Sequence, residues 1–104
     1  MKASQYNTVV EVEGDEFLLY NTLYGSVTRL TAGEATGVLD ALDDPAHAEP
    51  EVRDLLVRQR HLIDDSVDEL GVIDARRAAG INGRGRLDVT VMPTLDCNFD
   101  CVYC

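Results

Sequence analysis

Cys97, Cys101 and Cys104 are the only cysteines of this 104-residue chain, and all three fall in one short stretch. Their spacing, three residues and then two, lets three thiolates converge on one inorganic centre without help from distant parts of the fold. An odd number of cysteines crowded into one loop favours metal chemistry over disulfides when the compartment is reducing. Structural zinc takes four nitrogen or sulfur ligands, and the two histidines, His47 and His61, show no ligand-like spacing. Complete iron-sulfur cubanes usually take four cysteines, so three would leave one iron open to a small molecule. Two competing readings are a loop of reduced or adventitiously metal-binding thiols, and a zinc knuckle completed by another chain.

The segment from Val91 through Met92-Pro93-Thr94-Leu95-Asp96 to the C-x3-C-x2-C loop, with Tyr103 just before the last cysteine, resembles the first strand and cluster loop of radical S-adenosylmethionine (SAM) enzymes. Thr94 and Cys97-Asn98 are similar to the branch that carries SPASM-type auxiliary-cluster domains, which includes peptide maturases. The resemblance implies a 4Fe-4S cluster on Cys97, Cys101 and Cys104, whose open iron chelates the amino and carboxylate groups of SAM. It also implies reductive cleavage of the sulfonium to methionine and a 5'-deoxyadenosyl radical, with Tyr103 near the adenine. A reductant such as a ferredoxin or flavodoxin would supply the electron.

A second resemblance lies earlier in the chain. Phe17-Leu18-Leu19-Tyr20-Asn21-Thr22-Leu23-Tyr24-Gly25, Leu62-Ile63-Asp64-Asp65 and Asp68-Glu69-Leu70 are similar to the N-terminal region of such maturases. There a small winged-helix domain can bind the leader of a precursor peptide as an added strand. The strand near Ser26 to Leu30, facing the third helix, is the expected edge. Arg60 and His61 depart from the family pattern of glycine followed by an aromatic or aliphatic residue, which bears on the turn into Leu62.

The elements that must position these residues follow from pattern. Tyr6 to Val12 and Phe17 to Tyr20 read as strands around the turn Glu13-Gly14-Asp15, and Ser26 to Leu30 as a third. Thr31 with Glu34 forms a capping box, opening a helix whose apolar stripe is Ala35, Val38, Leu39 and Leu42 and which ends at Asp43-Asp44-Pro45. Pro50 and Glu51 start a second helix with a face of Val52, Leu55, Leu56 and Gln59. After an extended His61-Leu62-Ile63, Asp64 or Asp65 caps a third helix through Val67, Leu70, Ile73 and Asp74, with Gly80 as its stop. The fold class is α+β: a winged-helix-like β-β-β-α-α-α domain over 1–80, a glycine-rich linker over 81–85, and over 86–104 the first strand and cluster loop of a partial (β/α) barrel. The near-continuous apolar run Leu87, Val89, Val91 and Met92 suits a strand buried on both faces.

Charge narrows the partners. The formal net charge is -10, and residues 1 to 80 hold seven basic against sixteen acidic side chains. Such a surface repels phosphates, which argues against nucleic acid, a DNA-binding winged helix included, and against anionic membranes. The composition, 45% hydrophobic and 27% charged, is that of a chain that folds. No apolar run reaches the roughly 20 residues of a membrane span and the start has no signal-peptide core, so the expected compartment is the cytoplasm.

Several polar residues have simpler expectations. Asn21, Tyr24 and Gly25 read as turn chemistry, and His61 as a surface or partly packed residue. Asp64, Asp65, Asp68 and Glu69 read as a solvated helix start favoured by the dipole, with capture of a basic leader segment as the alternative. The functional expectation is the N-terminal portion of a radical SAM enzyme that modifies a peptide or protein, interrupted at its third cluster cysteine and catalytically incomplete by itself. The alternative is a stand-alone leader-peptide-binding module or a non-catalytic gene fragment.

Overall fold

The computed structural model describes residues 1–83, 85, 89–91, 93, 96 and 102. In chain order its elements are β1 (Lys2–Ala3), β2 (Asn7–Val12), β3 (Glu16–Asn21), β4 (Val27–Thr31), α1 (Ala32–Asp43), α2 (Pro50–Arg58), β5 (Leu62–Ile63) and α3 (Glu69–Asn82). The fold is a small α+β domain: β2, β3 and β4 form an antiparallel sheet in that order, and β1 pairs antiparallel with β5 as a separate ribbon.

Local chemistry explains the sheet. The three residues Glu13, Gly14 and Asp15 connect the paired Val12 and Glu16, and Gly14 and Asp15 both take positive φ, 87° and 58°, a region that glycine enters freely and aspartate is among the few side chains to tolerate. The resulting register sets Val9 opposite Leu19 and Glu11 opposite Phe17, while Leu19 faces Thr28 and Phe17 faces Leu30 on the other side. One sheet face therefore presents Phe17, Leu19 and Leu30 to the helices. The other presents Val10, Tyr20 and Val27, all exposed.

The expected capping of α1 is present: the Glu34 carboxylate accepts both the Thr31 amide at 2.9 Å and the Thr31 hydroxyl at 3.0 Å. The buried face is rotated from the expected stripe, because Ala35, Val38 and Ala41 point inward while Leu39 is exposed. Small residues at 35 and 41 bring the helix close to β4. Pro50 opens α2 in its first turn, as expected, and Leu56 is completely buried. Leu19, Leu30, Val38, Ala41, Leu56 and Leu62 make one apolar cluster, with Phe17, Leu42 and Val52 packed against it. Each fully buried leucine contributes about 1.5–3 kcal/mol relative to exposure.

Four features differ from the sequence reading. The ribbon strand β1 has no local signal; its pairing with residues 62 and 63 creates it. Helix α3 begins at Glu69 with Asp68 as N-cap, because Asp64 spends its carboxylate on the Ser66 amide at 2.9 Å and the Ser66 hydroxyl, forming a turn instead. The same helix passes through Gly80 to Asn82, and its Leu70 is exposed rather than packed. Farther on, Val89 and Val91 are exposed and belong to no strand; Leu87 and Met92 of that expected strand lie outside the described residues. No helix among the described residues is long and apolar enough to cross a membrane.

Candidate functional site

A buried polar seam runs beside the apolar cluster. Ser4, Asn21, His61 and Glu69 are each at most 5% exposed, and they come from four different parts of the chain. Buried polar groups cost free energy unless hydrogen-bonded, and here the bonds form a continuous path. The Ser4 hydroxyl donates to Glu69 Oε1 and accepts from Asn21 Nδ2 at 2.8 Å, while the Gln5 amide donates to Glu69 Oε2 at 2.9 Å. Asn21 Nδ2 also lies 2.9 Å from Asn7 Oδ1, and Asn7 Nδ2 donates to the His61 carbonyl at 2.8 Å.

The path fixes the histidine tautomer. Asn7 Oδ1 can only accept, so His61 Nδ1, 3.0 Å away, carries the proton and donates. His61 Nε2 is then the acceptor for the Thr28 hydroxyl at 2.9 Å. Burial holds the imidazole below its usual pKa, in agreement with a neutral ring. The expectation of a surface or partly packed His61 is thereby corrected: it is 0% exposed and ties edge strand β4 to the start of β5. Glu69 is corrected likewise, since it is a buried anchor of α3 rather than part of a solvated acidic start.

At one end of the seam three elements meet. The Asn21 side-chain oxygen accepts the Leu23 amide at 3.0 Å and the Tyr24 amide at 2.9 Å, shaping the β3–β4 turn together with Gly25 at φ 74°. Its nitrogen reaches the Arg60 carbonyl at 3.3 Å. One buried amide therefore holds both Tyr24 and Arg60. The Arg60 guanidinium carbon lies 5.3 Å from the centre of the Tyr24 ring, and that of Arg76, from α3, lies 5.7 Å from it. Arg76 also donates to the Leu23 carbonyl. Arg60 takes φ 61°, where glycine would be unstrained, so the turn into Leu62 keeps the backbone shape that glycine serves and adds a side chain to it.

The unpaired side of β4 is the second feature. Among the described residues β4 pairs only with β3. A groove of about 250 Å³ runs beside it, lined by Leu30, Gly33, Gly37, Val38, Val52 and Leu55 among others. Its walls come from α1 and α2, because the chain passes from Thr31 into α1 without a loop; α3 reaches the turn preceding β4 instead, through Arg76. The hydroxyl of Ser26, just before β4, is a buried oxygen without a partner among the described residues.

Other expected residues fall apart. Asp65 pairs with the Met1 amine at 2.5 Å, and His47 with Asp44 at 2.7 Å, both pairs exposed. The Asp64 carboxyl is held below its usual pKa by the Ser66 hydroxyl and then by the Ser66 amide. No cluster of metal-ligating side chains occurs among the described residues. Cys97, Cys101, Cys104 and Tyr103 lie outside the described residues. Comparison with family models, with curated proteins and with solved structures finds no match in any of the three.

The Arg60–Tyr24–Arg76 cluster and the Ser4–Asn21–His61 seam were not singled out from the sequence as sites. The signal available was the polar residues Asn7, Asn21 and His61 placed where the strand pattern calls for apolar ones.

Proposed function

We propose that this chain carries the cluster loop of a radical SAM enzyme of the SPASM-type, peptide-maturase branch, preceded by a winged-helix-like domain that recognises a peptide. The observation that carries the reading is the Cys97, Cys101, Cys104 spacing with Tyr103 beside the last thiol. The donor set, three thiolates in one C-x3-C-x2-C stretch, fits a 4Fe-4S cluster held by three cysteines. When bound with SAM, such a cluster supplies the electron for reductive cleavage to methionine and a 5'-deoxyadenosyl radical. The three cysteines would hold the iron as thiolates, and Tyr103 would pack at the adenine. Substrate is a peptide or protein, and the reductant a ferredoxin or flavodoxin.

The peptide-recognition part of the proposal rests on the free edge of β4 and the apolar groove next to it. Main-chain groups on an open edge can bond an extended segment, and a groove alongside can take alternate side chains. A second reading, a binding module with no chemistry of its own, is favoured by the placement of the apolar cluster and the polar seam, all of whose members lie before residue 70.

Anaerobic reconstitution with iron and sulfide separates the two. The enzyme reading expects the absorption and, on reduction, the electron paramagnetic resonance signal of a 4Fe-4S cluster, abolished by Cys97→Ala, Cys101→Ala or Cys104→Ala. A signal unchanged in all three variants overturns it.

A further inference from the structure

We propose that Arg60, Tyr24 and Arg76 form a binding site for the carboxylate of an acidic side chain on the recognised peptide. The proposal deepens the peptide-binding reading and rests on it for the identity of the partner, but the site itself stands on separate geometry. In a chain of net charge -10, the guanidiniums of Arg60, from the α2–β5 turn, and Arg76, from α3, lie 5.3 and 5.7 Å from the centre of one aromatic ring. Neither has a carboxylate partner among the described residues. Arginine offers five N–H donors in a planar fork suited to carboxylates, and stacking on a ring leaves its edge free to donate. Arg76 uses one donor on the Leu23 carbonyl, and Arg60 has no side-chain hydrogen bond among the described residues.

The cluster is also held in place. Asn21, 0% exposed, fixes Tyr24 through its amide and Arg60 through its carbonyl, so the two sides of the contact share one buried anchor. Arg60 occupies a left-handed backbone position that costs a non-glycine residue free energy, and such outliers persist where surrounding structure imposes them. Tyr24 precedes β4 by only a few residues. A peptide strand laid along the β4 edge would therefore pass the arginines at one end, where a single acidic residue could fix its register and direction. The overall negative charge would repel a polyacidic partner at long range, but at about 0.1 M salt that repulsion is screened beyond roughly 10 Å while direct contact persists.

The test is an amide and arginine-side-chain NMR titration of the full chain with acetyl-glutamyl methylamide, and separately with acetyl-glutaminyl methylamide. The expected result is a saturable shift of the Arg60 and Arg76 Nε–H signals and the Tyr24 amide with the glutamyl compound only. That response should disappear in Arg60→Gly and weaken at least several-fold in Arg76→Gln, with the remaining spectrum preserved. Equal responses to both compounds, or no saturable response at these three residues, overturns the proposal. A separate arm uses a nine-residue threonine and valine peptide carrying one glutamate. Its failure to perturb β4 while the glutamyl compound still titrates the arginines would count against the peptide-strand reading and leave the carboxylate site intact.

Discussion

The apolar cluster and the polar seam are adjacent, similarly buried and held by different physics. The cluster, with Leu19 and Leu56 at 0% exposure, depends on volume and area, and many shapes of side chain could fill it. The seam depends on direction: each of its donors and acceptors has a specific partner, and a change at one residue leaves others orphaned. The cluster thus stabilises through buried apolar area, whereas the seam decides where particular groups sit, including Tyr24, Arg60 and the edge strand. Positioning in this domain is the work of a few amides and one imidazole.

The largest way to test that division is in the cluster. Leu56→Ala should lower unfolding free energy by about 3 kcal/mol, measured by urea denaturation, while the Tyr24 and Arg60 NMR signals keep their places in the folded state. Asn21→Leu should cost less, about 2 kcal/mol, because it strands the Leu23 and Tyr24 amides, yet it should move those signals. If Asn21→Leu were the more destabilising of the two and left Tyr24 unmoved, the assigned roles would be reversed.

A third test is pH. Native His61 is neutral with its pKa pushed below 6.5 by burial, so the unfolded chain binds the proton more readily. The stability from this residue is complete above pH 6.5 and is lost as pH falls from 6.5 through the lower, folded-state value. The carboxyls held below their usual values, Glu34, Asp44 and Asp64, act only at more acidic pH, below 4.5. Melting temperature should therefore decline between pH 6.5 and 5 in the parent and less so in His61→Gln. A flat profile in both would contradict a buried neutral imidazole.

The smallest expected effect concerns Arg60. Arg60→Gly and Arg60→Ala both lose the ring contact, but only alanine retains the left-handed strain at φ 61°. Alanine should be less stable than glycine by about 1 kcal/mol. Equal stabilities, from parallel thermal melts, would mean that the turn relaxes and that the arginine is not held in place.

Much of the fold was legible because its signals are local. Gly14 with Asp15 makes the hairpin, Thr31 with Glu34 starts α1, and Pro50 starts α2, each within a few residues. Illegible features depend on partners far along the chain. Nothing near Lys2–Ala3 marks a strand, since the cause is Leu62–Ile63. Glu69 looks like an ordinary acidic helix start until the Ser4 hydroxyl, 65 residues away, is found bonded to it. Neither Asp64 nor Asp65 caps the third helix, since Ser66 captures the first carboxylate and the Met1 amine pairs with the second, and the cap position falls to Asp68. Tyr24 was readable as turn chemistry, and its turn role is real, but the convergence of Arg60 and Arg76 on its ring is a tertiary event. The cysteine motif is the reverse case, conspicuous as a pattern and lying outside the described residues.

The ribbon between β1 and β5 has a consequence for the order in which the molecule can be built. Lys2 waits for Ile63, so a nascent chain must be extended by some sixty residues before the first strand has anything to pair with. At about 5–20 residues per second this delay lasts roughly 3–12 s. During it the hairpin and α1 can already assemble from local contacts, while Ser4 and Asn7 remain solvated by water. The polar seam therefore cannot close until the chain has been extended through Glu69.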